Sequence, residues 1–579
     1  MKRLLAALAR PWAPWAIIAL AVVLELPSLT SGLAADDWFQ ETLARGERPF
    51  EGLPRSNLDL FTFASGVPAR NLALMRAGVF PWTTDLEAKL SFPRPLAAAT
   101  HLFDAAVAPD SAVFAHLHNL AWFALGLLAL GLVYRQLFDS PGLALLALLL
   151  YALDDARGPT VSWVANRNAL VAFAFSCAAF ALHLQGRRGS ARAAFSAPLV
   201  YAGALLAGES ALGAWAWLLG FALCLESPRL AWWQRAFTLA PFALVTVGWL
   251  GVYRVLGFGA RHSGVYLDPL GEPVAFLSAL PGRLGALLAA QLAGPWSDFS
   301  ELWVFVSPSA PLVMTALAWL VTAGVIGLAW PQLRRSPLAR FFAVSLVLAA
   351  LPVCATFPAD RLLTFIGVGG LGLVALLITE RATGLARVGA VTLIAFHLVL
   401  APPLQVLRSR SMVTVADALR RSNASLPTTE RTLIALNTPT DALAGYLLLL
   451  RAWQHQPLPA HFWWLYAGPA ALDVTRVDEH TLQLEPVNGF ITSNAERMLR
   501  SRPFQRGDRV ELGALTLEVT KVTPDGRPLV LVAQLASSFE QVTWVSWRDG
   551  EGYVPFEPPA PGQKVRITQT DVVRAIFGP

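Results

Sequence analysis

The sequence predicts a mostly α-helical protein: a polytopic membrane helical bundle of about eleven spans, followed by a C-terminal extracytoplasmic α+β, then β-rich, domain. Three observations carry that prediction. Near-chargeless apolar runs recur from residue 11 to about 404, several of them long enough to cross a hydrocarbon core. From Arg408 onward the composition changes: charges return every few residues and the long apolar runs stop. Arginine and lysine cluster at alternate connections between the runs, as the positive-inside rule requires. A chain of 579 residues that is 55% hydrophobic and 15% charged, with 20 Trp and 32 Phe, is too apolar for one soluble globule. Two domains follow, 1–405 in the membrane and 406–579 soluble, the second long enough to bury its own core.

In chain order, the expected spans are 12–31, 113–134, 141–156, 168–185, 196–208, 211–226, 236–257, 311–330, 338–357, 362–380 and 386–404. Those at 141–156, 196–208 and 211–226 are short, and a further helix at 277–293 either dips into the membrane or lies on it. The first run, after Met1-Lys2-Arg3, is read as a retained helix because only a weak Gly-Leu-Ala-Ala precedes Asp36 as a cleavage site. With a cytoplasmic N-terminus, the inside connections hold Lys2, Arg3 and Arg10; Arg135; Arg187, Arg188 and Arg192; Arg229 and Arg235; Arg334, Arg335 and Arg340; and Arg381 and Arg387. An odd number of spans then puts the tail outside. This fits a bacterial inner membrane with a periplasmic C-terminal domain.

Two long outer segments, 36–111 and 257–311, exceed ordinary connection lengths. In the first, Leu58–Phe63, Leu72–Val79 and Pro95–Val107 mix aromatic, aliphatic and basic residues, as helices lying along the interface do. The second contains the polar, glycine-punctuated loop Gly259–Asp268. In the tail, Met412–Arg421 reads as a short helix, Thr432–Asn437 as a buried strand and Asp441–Trp453 as a helix. Alternating runs at Thr481–Leu484, Arg509–Leu512, Leu515–Val522, Leu529–Gln534, Val542–Trp547 and Lys564–Ile567 read as strands, with turns at Asp525-Gly526 and Asp549-Gly550.

Cys177, Cys224 and Cys354 fall inside apolar segments, with neither a disulfide framework nor metal-ligand spacing. The net charge of +6 is accounted for by membrane orientation and does not suggest nucleic acid. The chemistry-bearing residues gather at the expected outer face: Asp36, Asp37, Arg94, His101, Asp154, Asp155, Arg167, Glu209, Arg261, His262, Asp360 and Arg361. Charges near membrane depth are costly and are kept with partners or for function. A carboxylate can deprotonate an acceptor hydroxyl, and a planar guanidinium suits phosphate. The bland alternatives are that Asp36–Asp37 marks the interface and caps a helix, that Arg94 snorkels, that Arg167 bridges to Asp154 or Asp155, and that Glu209 is a turn carboxylate. Arg361 equally suits a pair with Asp360, Arg261 and His262 suit a solvated surface, and His116 and His118 suit helix packing.

Six local patterns resemble the GT-C membrane glycosyltransferases, especially the protein O-mannosyltransferase-like branch that uses polyprenyl-phosphate sugars. They are Asp36-Asp37-Trp38-Phe39, Phe92-Pro93-Arg94-Pro95-Leu96, His116-Leu117-His118-Asn119, Val161 to Leu170 around Arg167, Leu206-Ala207-Gly208-Glu209-Ser210 and Asp360-Arg361-Leu362-Leu363. The resemblance covers about residues 10–405, and Gly208 stands where relatives often have Lys. It implies an inverting transfer of a sugar from a polyprenyl-phosphate donor to an extracytoplasmic acceptor. An acidic residue of the first outer loop would be the base, Asp36 in preference to Asp37. Arg94, Arg167, Glu209, Arg261, His262 and Arg361 would line the substrate site, with Arg167 and Arg361 on the lipid phosphate. No cofactor is implied: hard oxygen ligands would suit a divalent metal, but no Asp-x-Asp pattern occurs in the first outer loop. The contrasting function is a non-catalytic relative that transports lipid or polysaccharide, or serves as an envelope scaffold.

Overall fold

The computed structural model describes residues 2–227, 229–300, 309–380, 383–493 and 495–578. Arg381, one of the expected inside cations, and 301–308 of the second outer segment lie outside the described residues. The chain forms two compact units, Met1–Gly32 with Phe92–Phe258 and Asp268–Met412, and Leu33–Ser91 with Gly259–Leu267 and Val413–Pro579.

The first unit is helical. Among the described residues, seven helical stretches are long and apolar enough to cross a membrane: Ala13–Thr30, Ala112–Leu137, Val164–Arg187, Pro273–Leu292, Ala310–Arg335, Asp360–Thr379 and Gly384–Ser425. This is an integral membrane protein. Of the eleven expected spans, six are among these seven stretches and five are the shorter apolar helices Pro141–Ala152, Ala191–Ala207, Glu209–Cys224, Ala240–Val255 and Pro337–Val353. Pro141–Ala152 rises only about 18 Å, well short of a hydrocarbon core. The helix Pro273–Leu292, undecided between crossing and lying flat, has the length and apolarity to cross.

Among these seven stretches Asp360–Thr379, which contains the helix Leu363–Thr379, is the most enclosed, with 83% of its most apolar part buried. Its glycines explain how it fits. A Cβ at Gly369 would stand 2.4 Å from the Leu346 backbone nitrogen, and one at Gly372 would meet the Phe342 ring at 2.4 Å. Small residues thus let two helices approach to backbone contact, where dispersion forces are strongest. Tyr134 and Tyr151 fasten the same helix by donating to the carbonyls of Val368 and Thr364, each at 2.8 Å. Cys177 and Cys354 are buried, and all three cysteines are free thiols.

The second unit holds the sheets. Strands β1 (Thr62–Ser65), β2 (Lys89–Ser91) and β3 (Gly259–Arg261) form a small antiparallel sheet in the order β1-β2-β3. The tail contributes β4 (Leu433–Thr438), β5 (Phe462–Ala467), β6 (Leu472–Arg476), β7 (Thr481–Pro486), β8 (Arg509–Glu511), β9 (Leu515–Val522), β10 (Pro528–Leu535), β11 (Thr543–Arg548), β12 (Gly552–Pro555) and β13 (Lys564–Ile567). They make a six-stranded sheet, β13-β6-β7-β10-β9-β8, and a four-stranded one, β12-β11-β4-β5. In the latter β4 runs parallel to both β5 and β11. The crossover between β4 and β5 carries the expected helix, in two pieces, Asp441–Gly445 and Leu447–Trp453.

The first outer segment does not behave as interfacial helices throughout. Leu58–Phe63 is not helical; it leads into β1. Pro68–Ala77 is a helix, but its apolar side is turned to protein: Met75 and Trp82 are buried in one cluster with Trp463 and Leu465 of β5. Trp82 donates to the Leu465 carbonyl at 2.9 Å and Trp463 to the Arg76 carbonyl at 3.0 Å. Gly78, at φ +88°, ends that helix where a Cβ would collide with the Phe462 carbonyl oxygen at 1.6 Å. Tryptophans that suit a membrane interface suit a sheet surface equally well, because both offer an apolar face and a polar rim.

Candidate functional site

Asp36 and Asp37 open the helix Asp36–Ala44 after Ala35, a non-glycine residue at φ +52°. The two carboxylates have different tasks. Asp37 is 1% exposed, and its Oδ2 accepts from the Ala34 amide at 2.9 Å, so it folds the chain back at the helix start. Asp36 stays partly exposed, and its Oδ1 accepts from the Tyr446 hydroxyl. Tyr446 immediately precedes the helix Leu447–Trp453, which packs against Asp36–Ala44, and the Arg45 guanidinium lies 5.4 Å from the Trp453 ring. Burial and the neighbouring Asp36 carboxylate push the Tyr446 phenol well above its ordinary range, which keeps it a donor. The product is a carboxylate oriented by a neutral hydroxyl.

Arg261 and His262 belong to this same unit and are not a free loop. Arg261 ends β3 opposite Lys89 of β2, and partial burial, with the Arg261 cation adding to it, holds the Lys89 ammonium below its usual range. His262 follows at φ +55°; its Nε2 accepts from Arg502 at 2.8 Å, and Arg502 donates to Glu87 at 2.7 Å. His262 is therefore part of a surface ion cluster.

The other candidates lie in the helical unit. Arg94 caps Pro95–Val107; its Nε donates to Glu209 Oε2 at 2.8 Å and its guanidinium lies 4.8 Å from the Phe92 ring. Glu209 opens a 3₁₀ turn between Ala191–Ala207 and Trp215–Cys224, so the pair ties a helix start to a helix break. At Gly208 a Cβ would crowd the Asn168 amide at 3.2 Å.

Arg167 does not fit the role of phosphate ligand. It is fully buried, forms an ion pair with Asp104 Oδ2 at 2.5 Å, and donates to Asn119 Oδ1 at 2.6 Å, the Ala115 carbonyl at 3.0 Å and the Thr100 carbonyl at 3.2 Å. A guanidinium so enclosed clamps three helices and has no face for a lipid headgroup. Its carboxylate partner is Asp104, not Asp154 or Asp155. His118 joins the same knot, bonding Asp104 Oδ1 at 2.6 Å and accepting from Trp122 at 3.0 Å, while His116 bonds the Gly32 carbonyl at 2.9 Å. Both histidines are packing groups.

Arg361 is different again. Its neighbour Asp360 is occupied by Ser297, which donates from its amide at 2.7 Å, and by Arg408 at 2.5 Å. The Arg361 guanidinium lies 5.2 Å from the Trp163 ring and 5.6 Å from the Phe357 ring, half-buried, with no carboxylate partner among the described residues. Arg408 is the hub that frees it: it also bonds Asp155 at 3.1 Å and Asp298, and lies 4.4 Å from the Trp296 ring. Burial pushes the Asp155 carboxyl up, with Asp154 adding to the effect. Tyr446, Asp104, Asp298 and Arg408 are absent from the sequence-based set. Arg408, directly after the last apolar run, was the one with a visible signal.

Comparison with known proteins gives no matching family model and no matching curated protein. Solved structures do resemble the chain. The oligosaccharyltransferase of Archaeoglobus fulgidus, tethered with an acceptor peptide, is similar at 11% identity and a TM-score of 0.40, over 78% of this chain and 64% of its own. This chain thus spans under two thirds of that protein's length. ArnT from Cupriavidus metallidurans, bound to undecaprenyl phosphate, has 13% identity and a TM-score of 0.36, over 90% of this chain and 98% of its own. The mycobacterial arabinofuranosyltransferase AftD has 14% identity and a TM-score of 0.36, over 93% and 40%.

Proposed function

We propose that the protein is an integral membrane glycosyltransferase that moves a sugar from a polyprenyl-phosphate donor to an extracytoplasmic acceptor, with inversion at the anomeric carbon. Asp36 is the general base. The observation that carries this is the division of labour in the aspartate pair: Asp37 is buried and bonded to Ala34, whereas Asp36 is partly exposed and oriented by the Tyr446 hydroxyl. A base needs a fixed carboxylate with access to an acceptor proton, and only Asp36 of the two has both. Arg361 is the cation suited to the lipid phosphate, since its guanidinium lies against aromatic faces, with Asp298 near but no direct ion pair among the described residues. Arg94 and Glu209 act as a paired element shaping the donor side, and Arg261 and His262 as surface groups toward the acceptor. The working membrane is the bacterial inner membrane, with the N-terminus cytoplasmic and the sheet-bearing unit periplasmic.

The test is sugar transfer from a labelled polyprenyl-phosphate sugar by purified protein in detergent. Asp36→Asn is expected to lower the rate by about 10²- to 10⁴-fold, the usual contribution of a general base. Asp37→Asn is expected to keep most of the rate and lose about 1 kcal/mol of stability, as a helix-start contact does. Full activity in Asp36→Asn removes the base assignment. A folded wild type that binds the donor without turnover favours the non-catalytic transporter or scaffold.

A further inference from the structure

Four arginines are buried among the described residues: Arg157, Arg167, Arg408 and Arg451. The first three face carboxylates, Asp154, Asp104, and the Asp155–Asp298–Asp360 group respectively. Arg451 does not. It is 3% exposed, and its donors go to neutral oxygens: Asn423 Oδ1 at 2.7 Å, the Leu426 carbonyl at 2.7 Å and the Pro427 carbonyl at 3.3 Å. Those bonds engage one N–H on each nitrogen and leave two of the five guanidinium N–H groups without a partner among the described residues. A buried cation with no counter-charge carries a desolvation cost that neutral acceptors offset only in part.

The place where an opposite charge would fit adjoins it. Arg451 helps to wall a cavity of about 550 Å³, open to solvent, together with Arg420, Asn423, Thr428, Gln454 and Gln456. No carboxylate lines it. Arg420 stands one helical turn before Asn423, and its own bond is a 3.0 Å pair with Asp417 at the surface, 44% exposed, which holds little energy and yields readily. Asn423 is itself positioned by Gln456 at 2.9 Å. The volume is in the range of a small-molecule site, and guanidinium, amide and hydroxyl groups share the lining with Ala424, Leu426 and Pro457, which suits a saccharide, polar at its hydroxyls and apolar on its ring face.

We propose that this cavity is a binding site for an anionic, saccharide-sized ligand whose carboxylate or phosphate completes the charge of Arg451 and Arg420. The amides of Gln454 and Gln456 take the ligand's hydroxyls. The site is independent of the Asp36 chemistry, since no residue is shared.

Equilibrium binding to the full-length protein in detergent tests it, with inorganic phosphate, glucuronate and glucose as probes. Phosphate or glucuronate is expected to bind saturably and more weakly as salt rises, and glucose much more weakly than glucuronate. Binding of phosphate alone assigns a phosphoryl ligand, and binding of glucuronate alone a carboxylate one. Arg451→Gln removes its contacts to the 426–427 carbonyls and is exposed to misfolding, so Arg420→Gln is the deciding variant. It is expected to weaken anion binding roughly tenfold, the share of one charge-assisted contact, with the unliganded unfolding temperature unchanged. Absence of binding of both anions, equal affinity in Arg420→Gln, or glucose binding as tightly as glucuronate overturns the proposal.

Discussion

In the helical unit Arg157, Arg167 and Arg408 each meet aspartate, and Arg94 meets Glu209. The sheet-bearing unit also carries surface ion pairs such as Arg502–Glu87, but three of its charge-bearing side chains take neutral partners. Asp36 is held by a phenol, Asp441 accepts from the Trp464 indole at 2.7 Å, and Arg451 donates to an amide and two carbonyls. The difference follows from surroundings. Among apolar helices an ion persists by cancelling its charge, because the Born cost of an isolated charge is far larger than any single contact offsets. In the sheet-bearing unit hydroxyl, indole and amide partners orient these groups without cancelling their charge, so the desolvation cost is offset only in part. Arg361, in the helical unit, lies against the Trp163 and Phe357 rings and makes no direct ion pair among the described residues.

The contrast can be broken by experiment. The largest stability effect is expected from Arg167→Met, which leaves Asp104 buried with only His118; a loss of about 3–5 kcal/mol is the usual cost of removing one partner of a buried pair. Unfolding in detergent followed by circular dichroism measures it. A loss under about 1 kcal/mol would class this knot with exposed pairs.

A second test uses pH on the other unit. Burial, with Glu496 nearby, pushes the Asp441 carboxyl from its ordinary 3.8 up to about 7, and no cation opposes it. An acid whose folded value is raised contributes stability below its unfolded value and loses that contribution as pH rises through the folded value. The midpoint of unfolding should therefore fall between about pH 4 and pH 7 and level off above. Asp441→Asn should flatten that slope. An unchanged slope would mean that other groups set it.

The smallest effect is expected from Tyr446→Phe. It removes one neutral donor from Asp36 and keeps the ring, so kcat/KM should fall by about fivefold, the worth of one ordinary hydrogen bond. If the reduction matches that of Asp36→Asn, the phenol is itself in the chemistry and does not merely orient the base.

Much of the architecture was legible in the residues. The apolar runs mark the membrane helices, and alternation marks β7, β9, β10 and β11. β5 escaped because Phe462-Trp463-Trp464-Leu465-Tyr466-Ala467 is buried on both faces beside a parallel neighbour, so it has no alternation to find. The helix Pro68–Ala77 was visible as a helix, but its partner was not: interfacial lipid and β5 make the same demand on Met75 and Trp82.

The site divides the same way. Hydropathy and charge along the chain mark a membrane protein, show where its charge-bearing connections fall, and put an aspartate pair after the first apolar run. Those are local properties, set by hydropathy and spacing within some twenty residues. Only the tertiary structure decided that Asp37 is engaged at a helix start while Asp36 is turned to Tyr446, 410 positions away. It likewise decided that Arg167 is enclosed, that Arg408 takes Asp360 and so leaves Arg361 to its aromatic rings, and that Arg451 is buried without an acid. Partner choice is a non-local property: hydrogen bonds and ion pairs form between groups that folding brings within 3 Å, and nothing in the spacing of residues along the chain encodes that distance.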